Sequence, residues 1–304
     1  MKNNIFKYWK PISVVIFWGF SFIATKTALR ELVPLTIIFL RLILAVIFLT
    51  VIAIYTKRDF SINMKSHGGI FILALIAVFH LWIQVTGLKY TSAANTGWII
   101  GTAPIFMALV GIIVFKETFT LLKTTGIVLA FLGLWLLISH GNISSISFIS
   151  NKGDFLVLAS AFTWSIYSAV NKNISLTYPP MMTILFLFLI MAIIISPITI
   201  NSEAIQSVLR LSMRGWVSIL FLGILCSGAA YVIWASVLKE MEAAKVGAFL
   251  YFEPFVTVIA SWLILNERIT FLMILAGIII TTGVALVNLN LKKIFVDRKN
   301  STSS

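Results

Sequence analysis

Stretches of about 20 apolar residues, separated by short polar segments, recur along nearly the whole chain, and each is long enough to cross a hydrocarbon core of roughly 30 Å as a helix. Ten can be counted, near residues 11–29, 33–56, 67–88, 91–115, 120–139, 153–172, 179–200, 215–238, 243–265 and 271–290. The runs are continuously apolar, whereas strands of a membrane barrel alternate and are only about ten residues long. Helices are the other structure that satisfies its backbone in lipid. The pattern therefore predicts an all-α integral membrane protein of ten transmembrane helices. The first stretch follows Lys2, Lys7 and Lys10 as a signal peptide would, but it shows no clear small-residue cleavage site and is read as a retained span.

The same pattern contains a repeat. Residues 88–137 align without a gap on residues 238–287, and eleven positions are identical: Leu88, Lys89, Ala93, Ala94, Gly97, Pro104, Glu117, Thr120, Leu122, Gly133 and Leu136 recur 150 residues later. Upstream, Trp18, Lys26 and Pro34 meet Trp164, Lys172 and Pro180 at an offset of 146. Apolar composition alone would align leucines, not Pro, Glu and Lys. The predicted organisation is a five-helix repeat over 12–138, a Ser- and Asn-rich linker over 139–152, a second five-helix repeat over 153–287, and a basic tail over 291–304. An odd number of spans per repeat turns the second copy upside down. Inverted halves around a midplane site are an architecture of secondary transporters.

Composition adds little that the pattern does not require: 60% hydrophobic and 11% charged residues exclude a soluble globular domain. The net charge of +13 changes the picture only through its placement. With the N-terminus inside, fifteen Lys and Arg residues fall in cytoplasmic segments, six fall on the opposite face, and Lys26 and Arg41 fall within spans. That bias predicts cytoplasmic N- and C-termini in a multi-pass protein of the cytoplasmic (inner) membrane. The basic balance records topology, so nucleic acid is not expected as a partner. A single cysteine, Cys226, excludes an intrachain disulfide and gives no support to a Cys-based metal site.

The residues "FWGFSFIATKTAL", "PLTIIFLRLILA", "GLKYTSAAN" and "TAPIFMALVGIIVFKETFT" of the first half, with "EPFVTVIASWLILNERIT" of the second, resemble the EamA family of the drug/metabolite transporter superfamily. The likeness covers both halves, and its specificity lies in the duplicated order of the segments. Departures are "KET" at 116–118 against "NER" at 266–268, and Ser165 where the first half has Gly19. The resemblance implies a ten-span carrier of a small organic solute, amino acids, other metabolites and drugs being the usual classes. ATP hydrolysis within the chain is not implied, and no G-x-x-x-x-G-K-[ST] loop occurs. No cofactor and no metal are expected.

Several residues could carry function. Glu253 falls about ten residues from the cytoplasmic end of its span, near midplane, where a charge costs about 2.5–3.5 kcal/mol and should face the bundle interior. It reads as a site for a substrate ammonium or a proton, or as a hydrogen-bond partner for backbone freed by Pro254. Pro104 and Pro254, at equivalent places in the two halves, each remove a helical N–H and suggest hinges, broken helices or fixed kinks. Arg41 and His80 could line the outer part of a cavity or pair with Glu253, His80 then as a proton switch, or they could respectively snorkel and pack. Trp98, Trp164 and Tyr251 are candidate walls, Gln84 and Asn95 candidate polar contacts, all equally open to helix packing. Glu117, Glu267 and Arg268 end their helices as candidate interfacial anchors or gate ion pairs.

The sequence reading is a secondary transporter that moves a small organic metabolite, an amino acid or related compound or a drug-like solute, by alternating access, with export favoured over import. Alternatives are a non-transporting membrane receptor or assembly protein, and a membrane enzyme. An enzyme needs several convergent groups, and Glu253 is the one deeply placed acid.

Overall fold

The computed structural model describes residues 8–60, 67–115, 120–139, 151–175, 179–240 and 249–288. Glu117, most of the proposed linker and the basic tail lie outside the described residues. The first half contains α1 (Trp9–Ala28), α2 (Pro34–Tyr55), α3 (His67–Tyr90), α4 (Ala93–Ile100), α5 (Ala103–Phe115) and α6 (Leu121–Ile138). The second contains α7 (Lys152–Ser175), α8 (Pro180–Thr199), α9 (Ser202–Leu209), α10 (Met213–Leu220), a π-helix (Phe221–Ala229), α11 (Ala230–Glu240), a 3-10 turn (Leu250–Phe252), α12 (Glu253–Leu265) and α13 (Phe271–Asn288). Among the described residues, seven helices are long and apolar enough to cross a membrane, and two shorter apolar helices cover Leu250–Leu265 and Phe271–Leu286.

Local chemistry sets the ends of these elements. Pro34 and Pro180 open α2 and α8, where a missing N–H costs nothing and the fixed φ already suits a helix. Ser92, Thr120, Asn201 and Ser212 accept from backbone N–H groups three residues on and so start α4, α6, α9 and α10. Asn266 stops α12 by taking the left-handed conformation at φ 54°.

Two irregularities position the site. The fourth apolar stretch is broken at Gly101–Thr102, because Pro104 has no N–H to offer the carbonyl four residues back. Thr102 donates its hydroxyl to Ile99 O at 2.6 Å, next to the Ile100 carbonyl that Pro104 leaves open. The eighth stretch widens into the nine-residue π-helix, an element that occurs often at functional sites. The sequence pattern did not reveal the π-helix. Nor did it reveal α9, because 201–214 is too polar and too short to register as a span; the Asn201 cap and Glu203 in the first turn support that helix locally.

α3 packs along α7, α2 along α8, α1 and α4 along α12, and α6 along α13. Small residues allow the closest approaches. A Cβ on Gly133 would come within 2.9 Å of Ala276 O and Ile280 N, and one on Gly283 within 2.5 Å of Gly126 O and Ala130 N. These are one contact seen twice, since Gly283, Ala276 and Ile280 stand 150 residues after Gly133, Gly126 and Ala130. Outward-facing side chains such as Ile47, Val51, Ile54, Phe131, Ile193 and Trp262 are exposed, as lipid-facing residues are.

Candidate functional site

At the centre of the bundle lies a cavity of about 60 Å³. Its walls are Trp18, Ser21 and Phe22 of α1, Arg41 of α2, His80, Leu81 and Gln84 of α3, the break from Ile100 to Pro104, Trp164 of α7, Tyr231 of α11, and Leu250 and Glu253 at the start of α12. That volume holds roughly four waters. A site that encloses an organic metabolite needs about 300 Å³ or more. The cavity as it stands is smaller than that.

The two proline breaks touch each other beside this space. A Cβ on Gly101 would lie 2.8 Å from Pro254 Cγ, so a larger residue at 101 would push the breaks apart. Both proline-led helix starts, α5 and α12, belong to the cavity wall, and the positive ends of helix dipoles favour negative charge there. Glu253 is the first residue of α12 and is only 7% exposed. Among the described residues its carboxylate has no hydrogen-bond partner, so nothing in this structure uses it to repair the backbone before Pro254.

Arg41 is 5% exposed. It does not snorkel; its Nε donates to Ser227 Oγ of the π-helix at 2.9 Å. The π-helix is fixed to α1 as well, through Trp18 Nε1 donating to Cys226 O at 3.2 Å and Cys226 Sγ donating to Phe17 O at 3.2 Å. His80 Nδ1 lies 3.0 Å from Ser160 O, an acceptor only, so the ring proton sits on Nδ1 and neutral His80 carries its lone pair on Nε2. An aromatic cluster closes one side. Trp18 and Trp164, partners in the repeat, meet edge to face at 5.7 Å, Tyr231 packs on both, and Tyr167 stacks on Trp164 at 5.0 Å.

The structure thus brings together Arg41, His80, Gln84, Pro104, Trp164, Glu253 and Pro254. It does not bring in Trp98, whose ring packs over Gly277 and against Phe255. Tyr251 donates to Val284 O at 3.3 Å. Asn95 is buried in α4 with its Oδ1 unpaired and away from the cavity. Tyr231 and Ser227 carry no sequence signal that separates them from the other residues of their apolar stretch.

Glu267 and Arg268 form no ion pair with each other. Arg268 is exposed, whereas the Glu267 carboxylate accepts from Ala93 N at 2.9 Å and Ala94 N at 3.0 Å, the first free N–H groups of α4. At the same end of the bundle Lys26 Nζ donates to Leu88 O at 2.8 Å and to Thr91 O, and Thr91 Oγ1 donates to the buried Asp154. Beneath these polar groups sits an apolar layer of Phe22, Ile23, Leu88, Ala93 and Ala260.

A further tie at this end gives a pH prediction. Glu31, in the α1–α2 loop, accepts from Ser212 N at 2.8 Å and Ser212 Oγ at 2.7 Å, and these bonds hold its carboxyl below the usual glutamate range. A depressed native value means that the contribution is present above the unfolded value and lost as pH falls through the native one. The melting temperature of the parent protein minus that of Glu31→Gln should stay constant down to about pH 5 and shrink only below about pH 4. A difference that titrates near neutrality would contradict the assignment.

A cavity inside an apolar helical bundle, with a guanidinium, a carboxyl group and aromatic side chains in its wall, fits a membrane transport protein as the class. Comparison with known proteins narrows it. The EamA-like transporter family matches twice, over residues 9–139 and 151–289. The chain is 31% identical over 287 residues to an uncharacterized transporter of Archaeoglobus fulgidus, covering 90% of this chain and 93% of that one. It is 27% identical to the uncharacterized transporter YoaV of Bacillus subtilis, with 90% and 93% covered. It is 25% identical to a probable amino-acid metabolite efflux pump of Escherichia coli, with 89% and 90% covered. A crystal structure of another protein shares the fold, with a TM-score of 0.69 at 16% identity over 93% of this chain and 96% of that chain. The chain belongs to the EamA-like transporter family. It is a multi-pass membrane transporter rather than an enzyme.

Proposed function

We propose that this protein is a secondary carrier of amino acids or closely related zwitterions, working by alternating access with ten spans in two inverted halves. The observation that carries the substrate class is the pair Arg41 and Glu253. A guanidinium and a carboxyl group line one buried cavity, and among the described residues neither is ion-paired. Arg41 suits a substrate carboxylate, because guanidinium offers a fork of donors and is less strongly hydrated than ammonium. Glu253 suits the ammonium, and the aromatic cluster of Trp18, Trp164 and Tyr231 suits a side chain or the face of a cation. The inverted halves are supported by the doubled contact of Gly133 and Gly283 and by the meeting of Trp18 with Trp164. The positive-inside bias puts both termini in the cytoplasm and the Lys26 end outside. Export is the favoured direction, in keeping with the name of the Escherichia coli relative.

The test is a thermal-shift screen of purified protein against amino acids, nucleosides, sugars and organic cations. A ligand at about 100 times its dissociation constant stabilises the folded state by about 2.7 kcal/mol. At least one amino acid should raise the melting temperature, while its decarboxylated amine and its N-acetyl form should not. Equal shifts from analogues lacking either charged group would contradict the two-charge site.

A further inference from the structure

We infer that Lys26, Asp154 and Glu267 form a releasable latch on the α3–α4 turn, which closes the outer end of the path. The inference rests on the carrier reading above. Thr91 and Ser92 connect α3 to α4, and Leu88 and Ala93 on either side pack in one apolar cluster with Phe22, a residue of the cavity wall. Three separate parts of the fold hold this turn with charged groups. Lys26 of α1 takes the carbonyls of Leu88 and Thr91, at the end where a helix leaves its acceptors open. Glu267, just beyond α12, takes the N–H groups of Ala93 and Ala94, the corresponding open donors of α4. Asp154 of α7 takes the Thr91 hydroxyl and is itself held by Asn151 Nδ2 at 3.0 Å. Each charge complements the helix terminus it meets, cation on the C-terminal carbonyls and anion on the N-terminal amides.

Three features make this set a latch rather than a permanent tie. First, α4 is an eight-residue helix separated from α5 by the break at Gly101–Thr102, so it can tilt as a unit about that break once the turn is freed. Second, Lys26 and Glu267 line a crevice of about 320 Å³ with Leu29, Arg30, Lys89 and Leu265. Water in that crevice can replace the bonds one at a time, which keeps release from exposing a charge to hydrocarbon. Third, the Lys26 and Glu267 parts of the set recur in the other half of the sequence at Lys172, Leu238, Ala243, Ala244 and Glu117, whereas Thr91 and Asp154 meet Met241 and Tyr8. A carrier that opens alternately to two sides needs a tie in each half, and the Lys and Glu parts are the ones that repeat. Ser92 already caps Asn95 N, so α4 does not need Glu267 in order to start.

The test uses full-length protein carrying Cys226→Ala and a single reporter, Ser21→Cys, on the cavity wall. Labelling by a membrane-impermeant thiol reagent is followed separately from the outer and the cytoplasmic side of oriented vesicles. Glu267→Gln and Lys26→Gln should each raise the outer labelling rate roughly tenfold, as expected when a charge-assisted bond is lost, without raising the inner rate. Lys26→Arg should keep the parent rate. Unchanged outer labelling in both Gln variants, or equal increases from both sides, would overturn the latch. A second arm covers variants that fail to fold: cross-linking Ala93→Cys to Glu267→Cys should block outer labelling of Ser21→Cys until a reductant is added, and labelling that persists through the cross-link overturns the proposal. Labelling reads access without any substrate, so its failure leaves the carrier reading standing, and a failure of transport leaves the labelling result readable.

Discussion

Glu253→Gln is expected to lower amino-acid exchange in proteoliposomes by at least about tenfold while leaving the melting temperature at or above that of the parent protein. The two halves of this expectation have different causes. A hydrogen bond to a charged group contributes about 1.5–3 kcal/mol, so replacing a carboxylate that meets an ammonium by a neutral amide should cost roughly ten- to a hundredfold in exchange. Stability goes the other way, because burying an ionisable group without a partner is unfavourable. In this structure the Glu253 carboxylate lies at the head of α12, only 7% exposed, and makes no hydrogen bond among the described residues. Gln has nearly the same shape and no charge to desolvate. Were Glu253 instead a structural anchor, the substitution would lower the melting temperature and leave exchange per folded molecule intact. That result would remove the acid from the site.

The second large effect concerns packing. Gly283→Ala is expected to destabilise the protein by about 1–3 kcal/mol, the usual cost of overpacking, and to lower the melting temperature by roughly 2–5 °C. The new Cβ would lie 2.5 Å from Gly126 O and Ala130 N, both backbone atoms, so relief requires α6 and α13 to separate. Gly68→Ala is the control. Nothing lies within 4 Å of its Cβ position, and replacing Gly by Ala inside α3 should be neutral or mildly stabilising. Melting curves of the two variants and the parent protein measure the contrast. Similar curves for all three would show that α6 and α13 do not pack as described.

The spans were legible in the sequence because lipid demands long apolar runs and tolerates few polar groups, so the stretches read at 11–29, 33–56 and 271–290 fall close to α1, α2 and α13. The proline positions were legible for a similar reason, since Pro104 and Pro254 disturb any helix that contains them. What Glu253 faces was not legible. Helix rotation follows from packing, and the same spacing that made Trp98 and Tyr251 candidates lets Trp98 cover Gly277 and Tyr251 reach Val284 O. The roles of Lys26 and Asp154 were hidden for a related reason. Their partners are a neighbouring turn's backbone carbonyls and the Thr91 hydroxyl, and neither leaves a spacing that marks the pair. Glu267 was recognised as a candidate gate, but adjacency in sequence suggested Arg268 as its partner. The fold gives it the amides of Ala93 and Ala94 instead.

Counterflow in proteoliposomes tests the central claim most directly. Vesicles preloaded with an unlabelled amino acid from the thermal-shift screen are diluted into a trace of the same compound in labelled form. A carrier with one site exposed to each side in turn predicts a transient accumulation of label above the outside concentration, which then decays as the gradient of unlabelled compound runs down. Simple equilibration without overshoot, or uptake no faster than in protein-free vesicles for every compound that stabilises the protein, would contradict it.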